Sequence, residues 1–100
     1  KYGITILLKA TTDIISDGNM IYLCEKHTPA MTVGGTGDVL SGLVAGLLAT
    51  NRNCLESAAT ASFICGLAGK EIQDKLGLHM TSMHLIDCIP SVMKPFDKII

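Results

Sequence analysis

The sequence predicts a single α/β domain in which one strand and a β-hairpin are followed by three helices. Three observations predict this fold class: a continuous apolar run near the start, a tight-turn signature between two short strand-like segments, and two long stretches with helical spacing of apolar residues. A length of 100 residues allows one hydrophobic core and is too short for two domains. We therefore expect one core that the sheet and the helices share.

The first element is a strand predicted over residues 4–8, a β-branched and aliphatic run. A run of this kind is typical of a strand covered on both faces, so we expect helices above and below it. The next segment, DIISDGNMIYLC, predicts a hairpin that turns at Asp17-Gly18-Asn19, because Gly and Asn accept the positive φ angles of tight turns. Residues 25–35 contain a proline and paired glycines without a sustained period, and they predict a loop.

Three helices are predicted after the loop, over residues 36–50, over residues 55–76 and from about Ser82. The first two carry strips of small residues, which let helix axes approach closely, so we expect them to pack together and against the sheet. The third has Thr81 or Ser82 as its N-cap, and Pro90 predicts a kink or an early interruption. The apolar face of the first helix comprises Val39, Leu40, Leu43, Val44, Leu47 and Leu48, and its small residues are Gly37, Ser41, Gly42, Ala45, Gly46 and Ala49.

Composition and charge exclude several classes of function. The net charge of −1 comes from acids and bases scattered along the chain, which argues against nucleic-acid binding. The four cysteines form no CxxC pair, which argues against a zinc site and against a disulfide framework. Gly42 and Gly46 have the spacing of a membrane helix pair, but the apolar run over residues 39–49 is about half of the ~20 residues that a spanning helix needs. With no secretory signal, we expect a cytoplasmic protein that does not bind membranes.

The segment TVGGTGDVLSG predicts an anion site at the start of the first helix. Backbone N–H groups at a helix start have no partner within the helix, and Gly35 and Gly37 have no Cβ to block a ligand. A Walker loop needs Lys followed by Ser or Thr where this chain has Asp38 and Val39. A dinucleotide fingerprint needs Gly or Ala where this chain has Leu40. The Walker loop therefore does not fit, and the match to the dinucleotide fingerprint is weak.

Asp38 has two possible roles in this segment. A carboxylate repels a bound phosphate, so it suits a general base that takes a proton from a substrate hydroxyl while the N–H groups hold the transferring phosphoryl group. Alternatively, Asp38 only complements the positive end of the helix dipole, an effect of about 0.3–1 kcal/mol. Spacing alone leaves both roles open. The surrounding glycines and the Pro-Ala-Met lead-in favour the catalytic role, because the dipole gives no reason for them.

Three segments, LLKATTDIISDG, PAMTVGGTGDVLSGLVAGLLA and GLAG, resemble the C-terminal part of ADP- or ATP-dependent NAD(P)H-hydrate dehydratases of the ribokinase-like superfamily. The doubled glycine of GGTGD followed by VLSG is the specific feature, since other kinases of the superfamily share mainly a shorter Gly-x-Gly-Asp core. The resemblance extends from Ile4 to about the final helix. It implies that residues 1–100 are the C-terminal, nucleotide-binding and catalytic portion of one three-layer α/β/α domain whose N-terminal portion is absent.

The resemblance also implies a function and a set of site residues. A nucleotide would phosphorylate the hydroxyl of hydrated NADH or NADPH, and loss of phosphate would restore the ring double bond. Asp38 would be the base that contacts the hydrate, residues 28–34 would close around the adenosine, and Mg²⁺ would accompany the phosphates of ADP or ATP. The anion hole would comprise Gly34, Gly35, Thr36 and Gly37, and the nucleotide-binding segment KATTD would comprise Lys9, Ala10, Thr11, Thr12 and Asp13.

Two other interpretations stay open at this point. One is a ribokinase-like small-molecule kinase for a vitamin precursor or a sugar, which releases its phosphorylated product. The other is a non-catalytic helical interaction segment whose glycines serve only close packing. His27, His79 and His84 are not at metal-ligand spacing and receive no role. We expect the chain to form a homo-oligomer and, in isolation, to have little or no dehydratase activity.

Overall fold

The computed structural model describes residues 3–9, 12–24, 35–50 and 53–96 of the chain. Within these ranges three strands form one antiparallel sheet in the order β1-β2-β3, and three α-helices follow. This order of a strand, a hairpin and three helices confirms the predicted fold class. The elements are β1 (Ile6–Leu8), β2 (Asp13–Ser16), β3 (Ile21–Cys24), α1 (Thr36–Ala49), α2 (Cys54–Leu76) and α3 (Ser82–Met93), and a 3₁₀ turn at Lys94–Phe96 ends the described chain.

The hairpin between β2 and β3 turns where the sequence predicts. Asp17 Oδ1 accepts hydrogen bonds from the N–H groups of Asn19 and Met20, both at 2.9 Å, and Gly18 has a φ of +97°. The N–H groups of Met20 and Asn19 lower the pKa of the Asp17 carboxyl, because they stabilise its charged form. A local side-chain to backbone turn therefore sets the register that pairs Ser16 with Ile21.

Only one face of the sheet is covered within the described residues. Leu7 packs against the core, whereas Ile6 and Leu8 on either side of it are 58% and 56% exposed. The prediction that β1 is covered on both faces is therefore wrong for this structure, because every helix that contacts the sheet lies on the side of Leu7 and Ile15. We call the other side the open sheet face; it comprises Ile6, Leu8, Ile14, Ile21 and Leu23.

The core is organised around α2, which contacts α1, α3 and the hairpin strands. Its strip of small residues is buried as predicted, with Ala61 and Ala68 fully inaccessible. The strip on α1 behaves differently, since a Cβ added at Gly42 or Gly46 would have open space around it. Close packing therefore uses the small residues of α2 and the larger side chains of α1, and the prediction for the α1 strip is wrong. No helix in the described ranges is long and apolar enough to cross a membrane.

The helix ends agree with the sequence at most positions. Asn53 caps α2 by accepting the Glu56 N–H at 2.7 Å, so this helix begins one residue earlier than predicted. Thr81 is the N-cap of α3, one of the two residues predicted for that position. Pro90 does not interrupt α3, which continues to Met93, and the predicted interruption is wrong. The burial of Leu85 and Val92 on either side of Pro90 stabilises this helix despite the missing N–H.

A buried hydrogen bond connects the sheet to α2. The Ser62 hydroxyl donates to Asp13 Oδ2 at 2.5 Å, and both side chains are buried. Ser57 lies five residues earlier in α2 and is also fully buried, but among the described residues its Oγ is the buried side-chain oxygen without a hydrogen-bond partner. The two serines of one helix therefore differ in whether their hydroxyls are paired.

This difference predicts opposite effects of alanine at the two positions. Ser57→Ala removes an unpaired buried hydroxyl and should raise the free energy of unfolding by about 1 kcal/mol. Ser62→Ala removes a hydrogen bond to a carboxylate and should lower the free energy of unfolding by roughly 1.5–3 kcal/mol. Urea-induced unfolding of the two variants measures both changes. Changes of the same sign and size would contradict this account of the two hydroxyls.

Candidate functional site

The start of α1 differs from the starts of the other two helices. Its N-cap is Gly35, in a left-handed conformation with φ +93°, and no side chain caps the helix there. By contrast, Asn53 caps α2, and α3 begins with a capping box in which the Thr81 N–H donates to His84 Nδ1 at 2.9 Å. The amides of the first turn cannot pair inside a helix, so the start of α1 offers N–H donors and a positive dipole end to an anion.

The first turn of α1 also presents a carboxylate. Asp38 lies in this turn with an exposed side chain, and the first helical hydrogen bond runs from the Val39 N–H to the Gly35 carbonyl at 3.1 Å. A Cβ added at Gly37 would meet nothing within 4 Å, so this side of the turn is open. Thr36 is only 5% exposed, and its side chain packs inside the protein. An anion and a hydroxyl could therefore approach Gly37 and Asp38 from the solvent side.

The predicted nucleotide-binding segment lies between β1 and β2. Lys9 is exposed after the end of β1, Thr12 is half-buried, and Asp13 is buried at the start of β2 with its carboxylate bonded to Ser62. The structure therefore shows Asp13 connecting the sheet to α2, and its role toward a nucleotide stays a prediction. Ala10, Thr11, Gly34 and the predicted loop over residues 28–34 lie outside the described residues.

The two predicted stretches lie on different elements that share one support. The segment with Asp13 begins β2, whereas Gly35 to Asp38 begin α1. Both β2 and α1 pack against α2. Helix α2 therefore fixes the position of each stretch relative to the core.

Cys65 on α2 is a buried thiol close enough to Lys9 and Asp13 for their charges to affect it. Burial raises the pKa of its thiol to about 11, with a smaller opposing effect of Lys9 and smaller raising effects of Asp13 and Cys24. In the described residues Cys24, Cys54, Cys65 and Cys88 are all free thiols. Cys65 is therefore a neutral, buried packing residue rather than a nucleophile.

The raised pKa predicts a pH dependence of stability. The thiol ionises near pH 9 in the unfolded chain and only near pH 11 in the folded protein, so its contribution is fully present below pH 9 and is lost between pH 9 and pH 11. Urea unfolding across this range measures the loss. The Cys65→Ala variant is the control and should show a smaller decrease. Equal decreases in the two proteins would contradict the assignment to Cys65.

A groove lies between α2 and α3, with a volume of about 270 Å³. The Cys88 thiol donates to Glu71 Oε2 at 3.3 Å on its wall, and burial together with this hydrogen bond raises the pKa of the thiol. None of the predicted site residues lines this groove, which is therefore separate from the start of α1. Its lining comprises Glu71, Ile72, Lys75, Leu76, His84, Asp87, Cys88 and Ser91.

One residue near the site was missed by the sequence analysis in this role. A Cβ added at Gly35 would lie 2.8 Å from Ser82 Oγ, so the start of α3 touches the start of α1. From the sequence, Ser82 was predicted only as a possible N-cap of α3. No local pattern links it to a glycine so far away in the chain.

The chain matches a known protein family over most of its length. The family model described as NAD(P)H-hydrate dehydratase matches residues 1–91. The chain is 72% identical over 99 residues to an ADP-dependent (S)-NAD(P)H-hydrate dehydratase of Nitrosopumilus maritimus and 62% identical over 99 residues to one of Cenarchaeum symbiosum. Each alignment covers 99% of this chain and 34% of the relative, so the chain spans about a third of the length of these curated relatives.

A more distant relative and a solved structure are also similar to the chain. The chain is 49% identical over 94 residues to a bifunctional NAD(P)H-hydrate repair enzyme of Pyrobaculum aerophilum, which covers 94% of this chain and 19% of the relative. The fold is similar to that of Bacillus subtilis YxkO, a UPF0031 family member, with a TM-score of 0.86 and 27% identity. That match covers 95% of this chain and 36% of YxkO.

Proposed function

The chain belongs to the NAD(P)H-hydrate dehydratase family, and we propose that it supplies the phosphoryl-holding and base-providing part of an ADP-dependent hydrate dehydratase. One observation carries the proposal: α1 begins without a side-chain cap, and the exposed Asp38 lies in the same first turn. The amides that follow Gly35 hold the transferring phosphoryl group. The Asp38 carboxylate then lies beside the substrate hydroxyl that attacks this phosphoryl group.

The chemistry has two steps in this proposal. Asp38 accepts the proton of the hydrate hydroxyl, the hydroxyl oxygen bonds to the terminal phosphorus of ADP, and AMP leaves with the electron pair of the broken P–O bond. The new phosphate ester then loses phosphate with the C–O electron pair, while the adjacent carbon loses a proton and the ring double bond forms. The segment with Lys9, Thr12 and Asp13 binds the nucleotide, as the family resemblance implies.

Magnesium fits this site only together with the nucleotide. The described residues contain no group of three acidic, histidine or cysteine ligands that could hold a metal alone. Mg²⁺ commonly keeps several waters and binds largely through substrate phosphates, so the nucleotide phosphates would hold it here. When bound, the ion would neutralise charge on the phosphates. The residues of this chain orient the hydroxyl and accept its proton.

We also propose that residues 1–100 form the C-terminal portion of one ribokinase-like domain. The curated relatives are about three times as long as the matched region, since that region is 34% of their length. The open sheet face and the open side of Gly42 and Gly46 on α1 are surfaces that the rest of such a domain, or a second copy in a homo-oligomer, would cover. The free thiols fit a reducing cytoplasm.

The base assignment predicts the effect of Asp38→Asn in the complete protein. The rate constant kcat for dehydration should fall roughly 10²- to 10⁴-fold, because the amide cannot accept the proton. The melting temperature should move by only a few degrees, since the lost dipole interaction is worth about 0.3–1 kcal/mol. The assay mixes the protein with hydrated NADH or NADPH and ADP, with ATP in parallel, and follows the return of nicotinamide absorbance.

The control for this prediction is Asp74→Asn, a change of an exposed carboxylate on α2 far along the chain from the first turn of α1. It should leave kcat unchanged. Asp38→Asn with wild-type kcat would contradict the base assignment. The alternative of a small-molecule kinase predicts a different product, a stable phosphorylated compound that accumulates without any NADH or NADPH being formed.

A further inference from the structure

We propose that Ser82 is a positioning residue for the anion site at the start of α1. It acts through Gly35, because its side chain holds the glycine backbone from which the site amides follow. This inference rests on the proposed function, since it gives the start of α1 a phosphoryl group to hold. It adds a residue from α3 to a candidate site that otherwise comes from α1 and the segment between β1 and β2.

Ser82 leaves no room for a side chain at Gly35. A Cβ added at Gly35 would lie 2.8 Å from Ser82 Oγ and 3.0 Å from Ser82 Cβ. The serine side chain therefore fills the space that any side chain at Gly35 would need. The φ of +93° at Gly35 independently favours glycine. The N-cap of α1 is thus confined by its own backbone conformation and by one side chain of α3.

The start of α3 forms a rigid support for this contact. Met80 is 3% exposed and Leu85 is fully buried, so the core anchors the chain on both sides of Ser82. The Thr81 N–H donates to His84 Nδ1 at 2.9 Å and fixes the first turn of the helix. The core therefore holds the backbone and Cβ of Ser82, while its hydroxyl can still rotate about the Cα–Cβ bond, so α3 limits the position of Gly35 through this Cβ.

The position of Gly35 sets where the following amides point. The Gly35 carbonyl accepts the first helical hydrogen bond from Val39 at 3.1 Å, so a displaced Gly35 moves the first turn of α1 with it. A misplacement of about 1 Å at a catalytic group can cost ~10²-fold in rate. Because the amides hold the phosphoryl group most tightly in the transition state, the loss should appear in kcat more than in the KM for the hydrate.

The first test replaces Ser82 by a larger side chain in the complete protein. Ser82→Val should lower kcat per folded protein roughly 10- to 100-fold, with the KM for the hydrate changed by less than about twofold. Met83→Val is the matched control, since it introduces the same side chain at the next, exposed position of α3. It should leave kcat unchanged. A purely structural role of Ser82 would lower the melting temperature and leave kcat per folded protein at the wild-type value, which would overturn the proposal.

The second test is a rescue that stays informative even where Ser82→Val does not fold. Gly35→Ala should lower kcat, because the new Cβ clashes with Ser82 and strains the positive φ. Combining it with Ser82→Gly removes both clashing atoms and should restore kcat several-fold. Independent, multiplicative effects of the two changes would overturn the proposal.

Activity of the wild-type protein distinguishes failure of the proposed function from failure of the positioning role of Ser82. Dehydration of the hydrate by wild-type protein with ADP, together with its loss in Asp38→Asn, supports the proposed function regardless of the activity of the Ser82 variants. An active wild type whose activity is insensitive to Ser82→Val overturns only the positioning role. A wild type that does not dehydrate the hydrate with ADP or ATP overturns the proposed function and this inference with it.

Discussion

The left-handed conformation of Gly35 is the constraint on which the candidate site depends. It lets α1 begin without a side-chain cap, so a ligand can approach the exposed Gly37 and Asp38 in the same turn. The same conformation needs a residue without Cβ, both because of its φ and because Ser82 fills the space beside it. Burial of Leu40 and Leu47 against the core then fixes the direction of the helix that these amides begin.

Helix α2 connects this site to the rest of the fold. Its buried small residues let α1, α3 and the sheet approach one axis, and the Asp13–Ser62 hydrogen bond fixes β2 to it. The segment after β1 and the first turn of α1 are therefore held by one common support. Because a buried carboxylate is costly to leave unpaired, the Asp13–Ser62 pair also makes the position of β2 on α2 specific. A phosphoryl-transfer site needs such fixed geometry, since positioning supplies much of its catalysis.

Local signals predicted much of this structure from the sequence. The Asp17-Gly18-Asn19 turn, the three helices and the N-cap at Thr81 follow from residue preferences within a few positions. The wrong predictions concern contacts between residues that are distant in the chain. Helical and strand periods do not say which neighbour covers a face, so the exposure of Ile6 and Leu8 and the open side of Gly42 were not predicted. The contact of Gly35 with Ser82 joins two distant helix starts and leaves no local trace. The GGTGD segment predicted the place of the site, because the helix dipole alone gives no reason for its glycines beside a carboxylate.

The central claim is that the amides at the start of α1 hold the phosphoryl group beside Asp38. A crystal structure of the complete protein with AMP, phosphate and NADH, the products of the proposed reaction, tests it most directly. The account predicts phosphate oxygens at roughly 2.7–3.2 Å from backbone nitrogens of the first turn of α1, with the Asp38 carboxylate on the side of the nicotinamide. Phosphate bound elsewhere, with the first turn of α1 contacting only water, would contradict it.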